Sequence, residues 1–297
     1  MKIIITGATS FLGKSAADLF EQKGHEVWRL RHSIDPDDLI LLPGLKDGAP
    51  GEGKSALPAS CDAFLHFAWG GRGSEGRSSA AIQEQNIEMS LRALRKAKEL
   101  GCRKFLFAGS QAEYGGVHTR YADRKQHEDD PCFPVSEYGK AKLRFGQLGA
   151  AECAGSGMEF LHLRYFSVYG PGDHETSLVS TAVRNFLADA PMEFGDCGQD
   201  WNYLFLTDAS LALERILEKG TAGVYNVASK DTRRLKDFIL AMKEVLGSAS
   251  PLAFGTRPAN AEGTADLRPN TAKLEALGFR EETSFDEGIR ICSQGLN

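Results

Sequence analysis

The chain has 297 residues, of which 42% are hydrophobic, so it is long enough to bury a large core in one or two domains. Its formal charge of −5 at pH 7 gives no electrostatic reason to bind nucleic acid, and we expect no nucleic-acid partner. No apolar stretch approaches the ~20 residues that a membrane-spanning helix needs, so we expect no membrane association.

The first elements of the chain follow one another as strand, turn, helix and strand. The run Lys2-Ile3-Ile4-Ile5 is typical of a strand that is buried on both faces of a sheet. A glycine-containing turn at residues 6–13 leads into an amphipathic helix, and the second strand is predicted at residues 25–30. This order predicts that the pyrophosphate of a dinucleotide binds at the N-terminus of the helix.

Two glycines shape the predicted dinucleotide turn. We expect Gly7 to permit the tight turn and Gly13 to let the helix pack closely on the strand. Ser10 stands where a third glycine is usual, so the backbone is expected to approach the phosphates less closely. The predicted cofactor contacts in this turn are Gly7, Thr9, Ser10, Phe11, Leu12 and Gly13.

The end of the second strand predicts which nicotinamide cofactor binds. The sequence there is Arg31-His32-Ser33, without the acid that usually binds the adenosine ribose. Because Arg31 can pair with a 2′-phosphate, we expect Arg31 and Ser33 to contact the cofactor and NADP(H) to be favoured over NAD(H). The alternative is that Arg31 is an ordinary surface residue and the ribose is not recognised.

The order of the later patterns predicts the fold class. Strand and helix patterns alternate to about residue 165, which predicts an α/β fold with a doubly wound parallel sheet of the Rossmann type. Residues 44–58 and 70–79 are rich in glycine and are predicted loops. The pattern is more irregular after residue 170, so we expect a dinucleotide-binding domain at residues 1–168 and a smaller mixed α/β substrate domain at residues 169–297.

Three residues have side chains suited to proton transfer beside this cofactor. Ser110 follows an apolar run, and the carboxyl end of a parallel strand presents side chains to the ligand cleft. Tyr138 and Lys142 begin an amphipathic run, and residues four apart lie on the same face of a helix. A nearby ammonium group favours the phenolate and lowers the pKa of a tyrosine, which makes Tyr138 a candidate proton donor at neutral pH.

The same spacing occurs a second time, at Tyr121 and Lys125. Charged residues surround this second pair, and no apolar stripe accompanies it. We therefore predict that Tyr121 and Lys125 lie in a solvated loop and that the catalytic pair is the later one.

Seven further segments of the chain carry a resemblance to a known family. They are residues 61–68, 86–87, 109–115, 163–172, 223–229, 257–258 and 273–279. Over nearly the whole chain and in the right order, they resemble the extended short-chain dehydrogenase/reductase family of the NAD-dependent epimerase/dehydratase type. This family contains nucleotide-sugar epimerases, dehydratases and reductases, and the resemblance implies that Ser110, Tyr138 and Lys142 are the catalytic residues.

The resemblance also implies further contacts. Besides Tyr138 and Lys142, the cofactor is expected to contact Phe67, Ala68, Asn86 and Tyr165. A helix near residues 207–219 is expected to pack back on the first domain. The helices at residues 86–100 and 138–153 are similar to those that form the dimer interface in this family, which implies a homodimer. Their leucines could equally face their own sheet.

The residues after Ser110 separate the activities within the family. Sugar 4,6-dehydratases carry an Asp-Glu pair there, whereas this chain has Gln111 and Ala112, so the acid and base for eliminating water are absent. Glu113 comes one residue later and, on a strand, would face the opposite side. Epimerases usually have an acid after the second strand. This chain has Arg31 there, which argues against an epimerase. The length and the C-terminal segment look most like the short nucleotide-linked 4-keto-6-deoxysugar reductases.

The expected substrate contacts depart from the family pattern. Ser167 stands where asparagine is common, and Trp201 replaces an arginine that reaches the sugar diphosphate. An indole can stack on a base or sugar but cannot pair with a diphosphate, so Arg257 remains the candidate for that role. The substrate is therefore held differently from the family pattern or lacks a diphosphate. The predicted substrate contacts are Gln111, Ser167, Trp201 and Arg257.

The cysteines and histidines predict neither disulfides nor a metal site. The six cysteines have no CxxC spacing and are expected to be reduced thiols in a cytoplasmic protein. The seven histidines include no i,i+4 pair on a helix and no cluster with cysteines. Met1-Lys2 leads straight into the first strand without a signal-peptide pattern, which also favours the cytoplasm.

The leading hypothesis is an NADPH-dependent reductase of a keto group on a nucleotide-linked 4-keto-6-deoxysugar. A nucleotide-sugar 4-epimerase with the same catalytic residues is the first alternative. The second alternative is a non-catalytic NADPH-binding sensor or scaffold, although a sensor does not need a proton donor. The expected partners are a small-molecule sugar and a second copy of the chain.

Overall fold

The computed structural model describes residues 1–32, 39–41, 57–71, 73–115, 125–258 and 265–295. The chain forms two compact units. The first comprises Met1–Gly115, Pro131–Tyr165 and Ser210–Tyr225. The second comprises Gly116–Asp130, Phe166–Ala209 and Asn226–Asn297.

A seven-stranded sheet is the central element among the described residues, with the strand order β10-β6-β5-β4-β1-β2-β3. The strands are β1 (Lys2–Thr6), β2 (Glu26–His32), β3 (Leu39–Leu41), β4 (Ala63–His66), β5 (Lys104–Ser110), β6 (Glu159–Tyr165), β7 (Ser167–Tyr169), β8 (Met192–Glu193), β9 (Asp200–Phe205), β10 (Gly223–Val227), β11 (Thr232–Arg234) and β12 (Leu252–Ala253). β1 pairs in parallel with β2 and β4, and β5 pairs in parallel with β4 and β6. The predicted parallel Rossmann-type sheet is confirmed, although β3 joins β2 in the antiparallel direction.

Helices cover both faces of this sheet. The helices of the described residues are α1 (Phe11–Gln22), α2 (Ser74–Ser78), α3 (Ala80–Glu99), α4 (Glu137–Cys153), α5 (Leu178–Leu187), α6 (Leu206–Lys219), α7 (Leu235–Val245), α8 (Ala272–Ala276) and α9 (Phe285–Gln294). Ile4 of β1 faces a core that contains Leu94 of α3 and Phe145 of α4. α1 lies beside α6, because the Ser15 and Ser210 hydroxyls are 2.7 Å apart.

Stacked phenylalanines fix α4 on the middle of the sheet. Phe105 of β5 lies between Phe64 of β4 and Phe160 of β6, at ring-centroid distances of 5.4 and 5.8 Å. Phe145 of α4 meets Phe107 of β5 edge-on at 4.6 Å, a favourable geometry for two aromatic rings. This packing sets the position of α4, which carries Tyr138 and Lys142, relative to β5, which ends at Ser110.

The second unit has a core of its own. It contains a three-stranded sheet in the order β11-β9-β7 and the pair β12-β8. Buried apolar side chains of α5, α7 and α9 form the core, among them Phe186, Phe238 and Ile289. The Tyr169 hydroxyl donates a hydrogen bond to the Phe285 carbonyl oxygen at 3.1 Å, which connects β7 to the start of α9.

The prediction that all cysteines are reduced thiols is wrong for Cys61 and Cys102, which form a disulfide. β4 and β5 are adjacent parallel strands in which Ala63 pairs with Lys104. Each cysteine lies two residues before one of these partners, so the register of the two strands brings the cysteines side by side. Their Cα atoms are 5.0 Å apart, within the range that a disulfide spans. The prediction from spacing failed because the two positions meet only through the register of the sheet.

One of the two predicted loops differs from the structure. Residues 70–79, predicted as a loop, contain α2. Most of the loop predicted at residues 44–58 lies outside the described residues. Within the described part of the chain, no helix is both long and apolar enough to cross a membrane, and no three His, Cys, Asp or Glu side chains are grouped to hold a metal ion.

Candidate active site

The glycine turn between β1 and α1 packs against the end of β4. Gly7 has a φ of +68°, a conformation that side chains rarely adopt. A Cβ on Gly7 would lie 2.6 Å from the Ala68 nitrogen, and a Cβ on Gly13 would overlap the Gly7 carbonyl oxygen. Ser10 caps α1, because its hydroxyl accepts a hydrogen bond from the Gly13 nitrogen at 3.2 Å. These contacts put the N-terminus of α1, where Ser10 caps the Gly13 N–H, beside a surface of bare backbone, which suits a pyrophosphate.

Other predicted cofactor residues surround this turn. Phe67 and Ala68 follow β4 and are buried, and the Tyr165 ring lies 6.3 Å from that of Phe67. Burial raises the pKa of Tyr165, so its phenol stays neutral. The Asn86 side chain binds both backbone groups of Gly70, at 2.8 and 3.0 Å, and so holds the chain that follows Ala68.

Only the backbone of one predicted ribose contact lies among the described residues. The Arg31 backbone pairs with Ile40 at the end of β2. The side chain of Arg31 and the whole of Ser33 lie outside the described residues. Both contacts therefore stay predictions.

Ser110 ends β5, and the chain then turns sharply. Residues 111–113 form a short 3-10 helix, and the Ser110 hydroxyl accepts a hydrogen bond from the Ala112 nitrogen at 3.2 Å. The Glu113 carboxylate accepts a hydrogen bond from the Ser110 nitrogen at 2.8 Å, which completes a capping box. The expectation that Glu113 continues a strand is wrong, because the strand ends at Ser110. The spacing Ser-x-x-Glu was the sequence signal for this turn.

Tyr138 and Lys142 lie on the first two turns of α4, next to β5. The Lys142 ammonium donates a hydrogen bond to the Ala108 carbonyl oxygen at 2.6 Å, two residues before Ser110. It also lies 3.7 Å from the centre of the Trp69 ring and 5.7 Å from that of Tyr138. The structure thus brings all three predicted catalytic residues to the end of β5. Tyr121 lies outside the described residues, and Lys125 is exposed.

Sequence reasoning missed the residues that cover Tyr138. The Arg77 guanidinium of α2 lies 4.3 Å from the centre of the Tyr138 ring. Gln83 fixes this arrangement, because it accepts from the Trp69 indole at 2.9 Å and donates to the Gly76 carbonyl oxygen at 2.8 Å. Arg77 belongs to a Gly/Ser/Arg stretch whose composition indicates a loop, so the sequence carried no signal for its role.

The predicted substrate residues lie on both units. Gln111 is half-buried in the first unit, directly after Ser110. In the second unit, Ser167 of β7 and Trp201 of β9 are half-buried on adjacent strands, and Trp201 packs against the core. Arg257 is exposed after β12.

Comparison with known proteins gives a consistent result. The family model described as the NAD dependent epimerase/dehydratase family matches residues 3–228. GDP-6-deoxy-D-mannose reductase from Pseudomonas aeruginosa is 27% identical, over 97% of this chain and 95% of that protein. RMD from P. aeruginosa complexed with NADPH has a similar fold, with a TM-score of 0.82 at 22% identity over 99% of this chain and 98% of that chain. UDP-glucose 4-epimerase from Thermus thermophilus in complex with NAD has a TM-score of 0.79 at 21% identity, over 99% and 98% of the two chains.

Proposed function

The chain belongs to the NAD dependent epimerase/dehydratase family, which comprises NAD(P)-dependent enzymes that modify nucleotide sugars, and on that premise we propose that it reduces a keto group of a nucleotide-linked 4-keto-6-deoxysugar with NADPH. The observation that carries the proposal is the arrangement of Ser110, Tyr138 and Lys142 at the end of β5. Lys142 binds the Ala108 carbonyl oxygen, so the helix with the proton donor is fixed to the strand with the serine.

The residues suggest a mechanism for the reduction. Ser110 and Tyr138 hydrogen-bond the substrate carbonyl oxygen, and Tyr138 gives it a proton. Lys142 and Arg77 place positive charge beside the Tyr138 ring, which favours the phenolate left after that transfer. When bound, the nicotinamide cofactor supplies the hydride. This cofactor would be held by the turn at Gly7 and Gly13, together with Phe67 and Ala68. The turn leaves its backbone and the N-terminus of α1 open to a pyrophosphate, because side chains at the two glycines would clash with neighbouring backbone and are absent.

A reductase is favoured over the other family activities by two local features. Gln111 and Ala112 offer no acid–base pair for eliminating water, which argues against a dehydratase. Arg31 at the end of β2 argues for an exchangeable NADPH, whereas a 4-epimerase needs a cofactor that returns its hydride to the same sugar. A 4-epimerase with the same catalytic residues remains the second candidate, supported by the NAD-bound fold relative.

A screen of NADPH oxidation tests the proposal. The purified protein is incubated with nucleotide-linked 4-keto-6-deoxysugars that differ in nucleotide, and the absorbance of NADPH is followed. The proposal expects oxidation with at least one of these sugars, and a large fall in its rate, short of complete loss, in Ser110→Ala. Interconversion of UDP-glucose and UDP-galactose without net NADPH oxidation would establish the epimerase instead. Cofactor binding without turnover of any sugar would favour the sensor.

The predicted cofactor preference has its own test. Arg31 can meet a 2′-phosphate with a charge-assisted contact worth roughly 1.5–3 kcal/mol, or about tenfold to a hundredfold in affinity. We expect NADPH to bind more tightly than NADH by that factor, and Arg31→Asp to reverse the preference by adding a repulsive charge. Arg31→Gln is the matched control, which should abolish the preference without reversing it. Equal binding of the two cofactors by the unaltered protein would show that Arg31 does not contact the ribose.

Arg257 is the predicted phosphate ligand of the substrate. Arg257→Ala should raise KM for a nucleotide-linked sugar far more than it lowers kcat, the signature of an interaction made equally in ground state and transition state. Arg290→Ala removes another exposed arginine of the second unit and should change neither constant. An unchanged KM in Arg257→Ala would exclude Arg257 from the site and favour a substrate without a diphosphate.

We also propose a homodimer that pairs α3 and α4. Leu94 faces its own sheet and is fully buried, whereas Ile82 and Leu148 are 37% and 39% exposed. α3 and α4 lie side by side, since Arg144 and Glu84 form an ion pair at 2.7 Å. The exposed apolar side chains on these helices would be covered by the same helices of a second copy. We propose a cytoplasmic location on the basis of the family alone, because the Cys61–Cys102 disulfide removes the argument from reduced cysteines.

A further inference from the structure

A carboxylate is buried directly behind Ser110. Glu113 is fully buried, and its Oε1 accepts hydrogen bonds from the Ser110 nitrogen at 2.8 Å and from His162 Nε2 at 2.9 Å. Its Oε2 accepts from Arg164 Nε at 3.0 Å. Arg164 also lies over the Tyr114 ring, at 4.5 Å from its centre. The carboxylate is thus held by two side chains of β6 and one backbone group of the turn.

These contacts keep Glu113 ionised. Burial alone would raise the pKa of Glu113, but His162, Arg164 and the Ser110 N–H together bring that pKa below its ordinary value. Removing one partner from a buried charge of this kind strongly destabilises the folded protein. The turn at Ser110 is therefore held by a strong electrostatic contact, because a shift of the turn would remove a hydrogen bond from a buried charge.

The same network reaches the helix that carries Tyr138. A Cβ on Gly109 or Gly146 would overlap the His162 ring, so these glycines make room for His162 between β5 and α4. A Cβ on Gly139 would lie 2.5 Å from the Ala112 carbonyl oxygen. The turn that follows Ser110 therefore rests on the first turn of α4, directly beside Tyr138.

We propose that Glu113 is a positioning residue, whose buried carboxylate fixes the Ser110 turn against α4 and so sets the position of the Ser110 hydroxyl relative to Tyr138. This inference rests on the proposed function of Ser110 and Tyr138. Glu113 is fully buried, and among the described residues the hydrogen bond that joins its carboxylate directly to the proposed catalytic residues is the one from the Ser110 N–H. We therefore expect its effect on the reaction to pass mainly through Ser110.

The test is Glu113→Gln, which keeps the shape of the side chain and removes its charge. We expect kcat to fall about tenfold to a hundredfold, as for a small misplacement of a catalytic group, while substrate KM and NADPH affinity are nearly unchanged. In a Ser110→Ala background, Glu113→Gln should have almost no further effect on kcat, because the hydroxyl that it positions is absent.

A matched control separates positioning from loss of a buried ion pair. Glu21→Gln removes the charge of a partner of the buried Arg29 in the same unit, where Arg29 Nε donates to Glu21 at 3.0 Å. It should lower the thermal stability and leave kcat unchanged. If Glu113→Gln does not fold, His162→Gln removes one of the two side chains that hold the carboxylate, and we expect the same fall in kcat.

Hydrogen exchange gives a readout that does not depend on the substrate. Glu113→Gln should speed exchange of the amides of residues 110–114 and of the first turn of α4, whereas Glu21→Gln should not. Unaltered exchange at the turn would overturn the inference, as would a further tenfold to hundredfold fall in kcat when Glu113→Gln is added to Ser110→Ala. If the unaltered protein reduces no sugar, the proposed function fails, and the exchange experiment still decides whether Glu113 holds the turn.

Discussion

Replacement of Tyr138 by phenylalanine is expected to lower kcat by about 10²- to 10⁴-fold, the usual contribution of a positioned proton donor. Phenylalanine keeps the ring that lies under Arg77 at 4.3 Å and edge-on to Trp69 at 6.3 Å, so only the hydroxyl is lost. The affinity for NADPH should therefore be nearly unchanged. Steady-state kinetics with the sugar identified by the screen, together with a fluorescence titration of NADPH, measure both quantities.

The second Tyr-x-x-x-Lys spacing of the chain supplies the control for this variant. Tyr121→Phe makes the same chemical change at a position outside the described residues, and its partner Lys125 is exposed. We expect Tyr121→Phe to have nearly the activity of the unaltered protein. The assignment of Tyr138 is wrong if Tyr121→Phe abolishes turnover and Tyr138→Phe does not.

The parts of the site that could be predicted from sequence are those that depend on local patterns. The apolar run before Gly7 and the helical stripe after Gly13 predict the first strand, turn and helix, and β1, the turn and α1 occur there. Residues four apart share a helix face, so Tyr138 and Lys142 lie together on α4. Such patterns are visible in the sequence of a single helix or strand and do not depend on which other elements pack against it.

The parts that could not be predicted depend on contacts between distant segments. Glu113 meets His162 and Arg164, which are 49 and 51 residues away along the chain. The Cys61–Cys102 disulfide depends on the register of β4 and β5, which spacing does not reveal. The position of Arg77 over Tyr138 likewise depends on the hydrogen bond that Gln83 donates to the Gly76 carbonyl oxygen of α2.

Replacement of Gly13 by alanine is expected to weaken the binding of NADPH and NADH alike by at least about a hundredfold, or roughly 2.7 kcal/mol. The added Cβ would overlap the Gly7 carbonyl oxygen, so the N-terminus of α1 must move away from the turn that it forms with β1. A pyrophosphate then loses both the close backbone and the aligned helix N-terminus. Gly295→Ala is the matched control, because the nearest atom to its added Cβ is the Cys292 carbonyl oxygen at 4.0 Å. Calorimetric titration of both variants measures the loss, with thermal unfolding to verify that each is folded. Unchanged cofactor affinity in a folded Gly13→Ala protein would show that the dinucleotide binds elsewhere, because binding at this turn requires the N-terminus of α1 in its original position.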